Sequence, residues 1–288
     1  MNATTVPAPL ADERPAQNAV TETGATVSAA PLWGTFEIPG LLLVDDGLVA
    51  PDIVASLSRA IADSKLMGTS QLDGAFSATR GFGIACHLGA IDDVIVRVPF
   101  LRPFLDLALD DALLRRLLRF GVLERVAAAL LGVTNALYVN VLVVPPGTGV
   151  QAHVDATLGV ATAAPGDDAP LSPRAVVVLY VDAAAGTDGG MLHLTRGQTE
   201  LVATIAPRAG RVVVFRGSLR HEVTPTSPTQ QGSRVSVVAE LYGLPRKRLA
   251  RLPRLRVQSH GFAAVLDRLR RERTPTSSTG TLPPSTTA

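Results

Sequence analysis

The 288-residue chain has a single cysteine, Cys86, so no intrachain disulfide can form and a disulfide-stapled secreted scaffold is excluded. It contains no apolar run of the roughly 18 residues that a membrane-spanning helix needs. Its first thirty residues lack the basic start and apolar stretch of a secretory signal, and the expected location is the cytoplasm. Aromatic residues make up only 4% of the chain, too few for a surface that stacks nucleic-acid bases, which argues against a nucleic-acid partner. The net charge of +2 conceals an uneven distribution. Arg246 to Arg273 carries ten basic and two acidic residues, leaving seventeen basic and twenty-three acidic elsewhere. The basic character therefore belongs to one C-terminal segment.

At 47% hydrophobic, the chain has ample material for a core. Residues 1–35 are rich in Ala, Thr, Pro and Glu without apolar periodicity, and 274–288 are rich in Thr, Ser and Pro; both read as disordered. Residues 36–132 read as a mainly helical support that begins with a short strand, Leu41-Leu42-Leu43-Val44. Pro51 and Asp52 open a helix in which Ile53, Leu57, Ala60 and Ile61 recur at helical spacing, and two further helices are expected over Arg102–Leu118 and Val122–Leu131. The stretch between, Thr69 to Ala90, has no clear period and is expected to be loop or short strand.

From Asn135 the texture changes to short β-branched runs: Ala136–Val144, Ala175–Val181, Met191–Leu194, Leu201–Ile205, Arg211–Phe215 and Arg234–Leu241. Gly and Pro punctuate them, as an antiparallel sandwich or small barrel requires. The fold class expected is α+β, with a β core over 133–245. The segment 246–273 continues as a basic helix, with Phe262, Leu266 and Leu269 on an apolar face, and is read as a solvated helix packed on the barrel.

The chemistry-bearing residues lie in the β half. His153-Val154-Asp155 is an H-x-D on extended backbone, where period two puts both side chains on one face. With His221, in Leu219-Arg220-His221-Glu222-Val223, it completes two imidazoles and one carboxylate, a donor set suited to non-haem Fe(II) with open coordination positions. Alone, the H-x-D also fits a surface His near an Asp.

The surrounding motifs resemble the 2-oxoglutarate/Fe(II) dioxygenases, prolyl hydroxylase-like branch. Gly147 through Asp155 resembles their turn-and-ligand segment, and Leu179-Tyr180-Val181-Asp182 their Tyr-Leu-Asn strand end. Gly189-Gly190-Met191-Leu192 is similar to their Gly-Gly-x-Leu, and Pro207 to Phe215 to their Pro-x-x-Gly-Arg run. His221-Glu222-Val223-Thr224-Pro225 resembles the distal His-Glu-Val-x-Pro, and Gly232 to Ser236 the opening of the last strand. The resemblance covers about Asn135 to Tyr242. It implies a double-stranded β-helix, or jelly roll, with a helical N-terminal layer. It implies His153, Asp155 and His221 as iron ligands, Arg234 paired with the distal carboxylate of 2-oxoglutarate, and Tyr180 hydrogen-bonded to that carboxylate. The cofactors implied are Fe(II), 2-oxoglutarate as co-substrate and dioxygen. The reaction implied is hydroxylation of an unactivated C–H bond of a small molecule (an amino acid or natural-product intermediate) or of a peptidyl residue, giving succinate and CO2. Relatives that halogenate lack the carboxylate that Asp155 supplies.

Two departures stand out. Many relatives carry a Tyr ten residues before the first His, where this chain has Val143, and the parity of Tyr138 and Asn140 is expected to point them away from the site. The interval from His221 to Arg234 is a few residues long. Glu240, six after Arg234, falls on the same strand face, either inward where it could read a substrate amine or at a strand end in water. Arg80, Arg174 and Arg196 are candidates for gripping an acidic substrate. His87, His193 and His260 read as packing or surface residues. Two alternatives stay open: a non-catalytic β-sandwich that uses its basic segment on an acidic partner, and a cupin-type metal enzyme without 2-oxoglutarate. The oligomeric state is not written in these patterns.

Overall fold

The computed structural model describes residues 35–68, 79–110, 113, 134–166, 170–183, 189–229 and 231–258. The leader's first 34 residues, the helix expected over Val122–Leu131, His260, the apolar face of Phe262, Leu266 and Leu269, and the C-terminal tail lie outside these.

Two antiparallel sheets face one another. The strands of the larger are β1 (Thr35–Ile38), β2 (Leu42–Asp45), β3 (Arg80–His87), β4 (Ala136–Val144), β6 (Ala175–Ala183), β9 (Val212–Arg216), β11 (Arg234–Tyr242) and β12 (Leu255–Gln258). They lie in the order β1-β2-β9-β6-β11-β4-β3-β12. The smaller sheet is β5 (Val150–His153), β10 (Arg220–Val223), β7 (Leu192–Arg196) and β8 (Glu200–Ile205). This is the expected α+β jelly roll, and its central strands are the Val-rich runs that a sheet covered on both faces calls for.

One face of the large sheet packs on helices α1 (Pro51–Ala62), α2 (Ile91–Arg97) and α3 (Arg102–Ala108). Pro51 at the first turn of α1 presets helical φ, and Val54, Leu57 and Ile61 form its buried stripe. They meet Val139, Val141, Val177, Leu179, Val237 and Ala239 in one apolar cluster. The opposite face meets the small sheet through Val176, Val178, Leu192, Leu194, Val213 and Phe215. Alternation along each strand thus assigns one set of side chains to the helices and the other to the space between sheets.

Beside the helices, β2 covers the short strand expected at Leu41–Val44, and β3, in the stretch expected as loop or short strand, pairs with β4 over eight residues. Other expectations change. The helix expected over Arg102–Leu118 is described only to Ala108. The basic segment from 246 opens on a single-turn helix, α5 (Arg246–Leu249), and then turns into β12, which pairs with β3 from Leu255↔Cys86 to Gln258↔Gly83. An open sheet edge with unmet N–H and C=O groups outweighs local helical patterning there. Among the described residues, no helix is long and apolar enough to cross a membrane.

Candidate metal centre

The β5–β10 ladder sets His153 directly opposite His221. Their rings lie with centroids 4.3 Å apart, and Phe215 packs edge-on against His221 at 5.1 Å. Each imidazole is turned by a carbonyl two residues upstream: His153 Nδ1 lies 2.7 Å from Gln151 O, and His221 Nδ1 lies 3.3 Å from Leu219 O. A backbone carbonyl can only accept, so Nδ1 carries the hydrogen and each Nε2 presents its lone pair to the interior. Both Nε2 atoms face Asp155, at 3.3 Å from Oδ1 and 3.5 Å from Oδ2 respectively. Asp155 follows β5 and precedes the one-turn helix α4 (Thr157–Ala161).

These three residues are a group of metal-ligating side chains whose donor atoms all lie within 4.8 Å of one another. Burial would raise the Asp155 carboxyl, but His221 and His153 outweigh it and hold the pKa below the ordinary value. Asp155 Oδ2 is buried with no hydrogen-bond donor upon it. A buried carboxylate oxygen facing two imidazole lone pairs is what a dication would satisfy. The residues fit a metal ion.

One cavity connects this cluster to Arg234, which is 4% exposed. Arg234 Nη1 donates to Gly190 O at 3.0 Å, and the guanidinium lies 5.6 Å from the centroid of the Tyr180 ring. Its Nε has no acceptor, and no carboxylate partners it among the described residues. Burial lowers the pKa of Arg234 and raises that of Tyr180, the latter opposed by the charges of Arg234 and Arg211. Tyr180 is fully buried on the neighbouring strand, opposite Ser236.

β11 presents Arg234, Ser236, Val238 and Glu240 to the cavity. Glu240 is therefore inward and buried. Thr157 Oγ1 donates to its Oε1 at 2.7 Å, Thr157 N to its Oε2 at 3.3 Å, and the Tyr242 hydroxyl to the same Oε2. Burial, and next the charge of Asp155, push its pKa well above the ordinary value against the pull of these donors.

The parity expected for β4 is reversed. Asn140 and Leu142 line the cavity, while Val139 and Val141 face the helices and Val143 shares their parity. The register of β4 between β3 and β11 decides this, with Val143 opposite both Arg80 and Val235. Asn140, Ser236, Thr157 and Tyr242 were not singled out as site residues from sequence; the even positions of β11 were the available signal for Ser236. Arg80, Arg174 and Arg196 do not line the cavity, and Arg196 pairs with Glu200 at 3.1 Å. His193 faces outward to Glu222 at 3.2 Å, and His87 bonds to Leu252 O at 2.9 Å.

A jelly roll with a His-x-Asp…His cluster between its sheets defines a candidate metal-dependent catalytic site. Residues 139–239, from β4 into β11, match the family described as the 2OG-Fe(II) oxygenase superfamily, which together with the His-Asp-His cluster points to a 2-oxoglutarate/Fe(II)-dependent oxygenase. Its cofactors are Fe(II), 2-oxoglutarate and dioxygen. Similar solved structures include a Pseudomonas putida prolyl-4-hydroxylase (18% identity, 71% of this chain and 94% of that one, TM-score 0.41). A Trichoplax adhaerens prolyl hydroxylase in complex with a hypoxia inducible factor oxygen degradation domain peptide fragment matches at 12% identity, over 73% and 86%, with TM-score 0.44. A Burkholderia pseudomallei oxidoreductase of the 2OG-Fe(II) oxygenase family matches at 15%, over 69% and 84%, with TM-score 0.42. No curated protein sequence matches the chain. The match to an oxygenase family and the His-Asp-His cluster within it set aside the non-catalytic alternative.

Proposed function

We propose that the protein hydroxylates an unactivated C–H bond of a small molecule or a peptidyl residue. In this reading His153, Asp155 and His221 hold Fe(II), and Arg234 with Tyr180 holds 2-oxoglutarate. The observation that carries it is Arg234: a buried guanidinium, without a carboxylate partner among the described residues, in the same cavity as the His-Asp-His cluster. A buried charge left unpaired is strongly destabilising, and a guanidinium binds a carboxylate through two parallel hydrogen bonds. A keto-diacid with one end on the metal and the other on Arg234 answers both demands.

Bound iron supplies the coupling of dioxygen reduction to oxidative decarboxylation of the co-substrate to succinate and CO2. The chain's own residues do the rest. The carbonyls of Gln151 and Leu219 keep both imidazoles in the tautomer that ligates. Asp155, ionised between them, contributes the negative ligand. Arg234 fixes the orientation of the co-substrate, and Tyr180 supports its guanidinium from the next strand. Val176, Val178, Leu192, Phe215 and Val223 give the cavity dry walls, which limits water at the reacting centre.

The test needs no prime substrate. Anaerobic Fe(II)-loaded protein is titrated with 2-oxoglutarate, and the weak visible charge-transfer band of the chelate is followed beside Arg234→Ala. A saturable band, with apparent affinity at least tenfold weaker in the variant, is expected. Iron binding with no band would instead favour the cupin-type alternative.

A further inference from the structure

The cavity has unlike ends. Arg234 and Glu240 are both inward on β11 and six residues apart, roughly 20 Å at the rise of an extended strand. Glu240 lies on the side of the metal cluster, since both its oxygens bond to Thr157, two residues after Asp155. Asn140 projects from β4 at this same end, opposite Val238 and so between the rungs of Ser236 and Glu240. It is 5% exposed, and its Oδ1 has no hydrogen-bond partner.

An amide oxygen sealed from water without a donor is destabilising. The protein leaves it facing a cavity rather than packing a leucine there. The co-substrate does not satisfy it, because a 2-oxoglutarate dianion offers acceptors only and its acceptors match Arg234. Glu240 Oε1 holds one donor, the Thr157 hydroxyl, and retains acceptor capacity. Two acceptor groups on adjacent strands, beside the metal cluster and away from the guanidinium, call for a ligand that donates.

We propose that Asn140 and Glu240 form the subsite of the prime substrate, and that it takes a substrate bearing a protonated amine close to the carbon that is oxidised. The proposal rests on reading the Arg234 end as the 2-oxoglutarate site. Asn140 reads one N–H by its carbonyl oxygen and Glu240 Oε1 accepts a second, a pair of donors that a protonated amine supplies and an ether lacks. The amide can also be turned to present Nδ2 to the cavity, in which case it would serve the co-substrate instead.

Piperidine, a cation at neutral pH, and tetrahydropyran, its uncharged acceptor-only isostere, separate these outcomes. Binding of each to Zn(II)-loaded protein saturated with 2-oxoglutarate is followed by saturation-transfer NMR. The expected result is a preference for piperidine of at least tenfold in the wild type. Asn140→Leu and Glu240→Gln should each cut it below threefold while 2-oxoglutarate affinity stays within threefold, which also shows the variants folded. Equal binding of both probes by the wild type, no binding of piperidine, or an undiminished preference in both variants would overturn the proposal. So would loss of 2-oxoglutarate affinity in Asn140→Leu with the preference intact, which makes Asn140 a co-substrate residue. Failure of the wild type to bind 2-oxoglutarate, seen before any amine is added, refutes the reading of Arg234 on which the proposal stands.

Discussion

Arg211 holds Asp46 with two arms of its guanidinium, Nε 2.6 Å from Oδ1 and Nη2 2.8 Å from Oδ2, while its Nη1 donates to Ala206 O at 2.8 Å. Both side chains are nearly sealed from solvent. The pair fastens the segment after β2 to the turn between β8 and β9, far from the metal cluster in role. Asp46→Ala leaves a buried guanidinium without its carboxylate and is expected to lower unfolding free energy by about 3–5 kcal/mol. Urea denaturation measures this; a loss below about 1 kcal/mol would mean that the pair is hydrated and weak. Asp46→Asn keeps one acceptor and should fall between.

The metal cluster makes a different demand. Because the Gln151 and Leu219 carbonyls fix the imidazole tautomers, the side chain of Gln151 itself contributes nothing to that geometry. His153→Ala and His221→Ala should each reduce stoichiometric iron binding at least tenfold, whereas Gln151→Ala should retain it. Iron content after anaerobic loading and desalting reads this directly. Full retention of iron by either histidine variant would remove that residue from the ligand set.

The close fit of β5 to β10 gives a third expectation. A Cβ on Gly149 would stand 2.4 Å from Val223 O, 3.0 Å from Pro225 N and 3.1 Å from Thr224 C, all backbone atoms that cannot swing aside. Gly149→Ala must therefore wedge apart the ladder on which His153 opposes His221. Iron affinity should fall tenfold or more while far-UV circular dichroism stays native. Gly89→Ala, where an added Cβ meets nothing within 4 Å, is the matched control.

What could be read in advance depended on how local the deciding interaction was. His153 and Asp155 were legible because two residues on extended backbone share a face whatever surrounds them, and the Val-rich runs announced buried strands for the same reason. Asn140 was misplaced because parity counted from Val143 assumes that Val143 faces inward. The true face is set by β3 and β11, which lie far off in sequence. Glu240 was undecided because Ala239-Glu240-Leu241 reads equally well as a strand end in water; Thr157, 83 residues away, draws it inside. β12 was missed because Leu255-Arg256-Val257-Gln258 sits in a basic run that suggests a helix, and only the free edge of β3 makes it a strand.

Cys86 tests the packing of that same edge. It is fully buried on β3 in the cluster beneath the helices, and burial pushes its thiol pKa up to about 12 from 9.0. The folded protein then holds this proton through a range where the unfolded chain has released it. The sign follows: stability is unaffected by this group below about pH 9 and falls as pH rises from there toward 12, by up to about 1.4 kcal/mol per pH unit. Urea midpoints at pH 8.5 and 10.5 should therefore drop more steeply in the wild type than in Cys86→Ala, whose only change in ionisation is the loss of this thiol. At pH 8 an alkylating reagent should leave the native thiol intact for hours and modify it within minutes in denaturant, because the thiolate is the reactive form. Equal pH slopes in the two proteins, or rapid native-state alkylation, would show that β3 opens to solvent at Cys86 and that β12 does not close this edge.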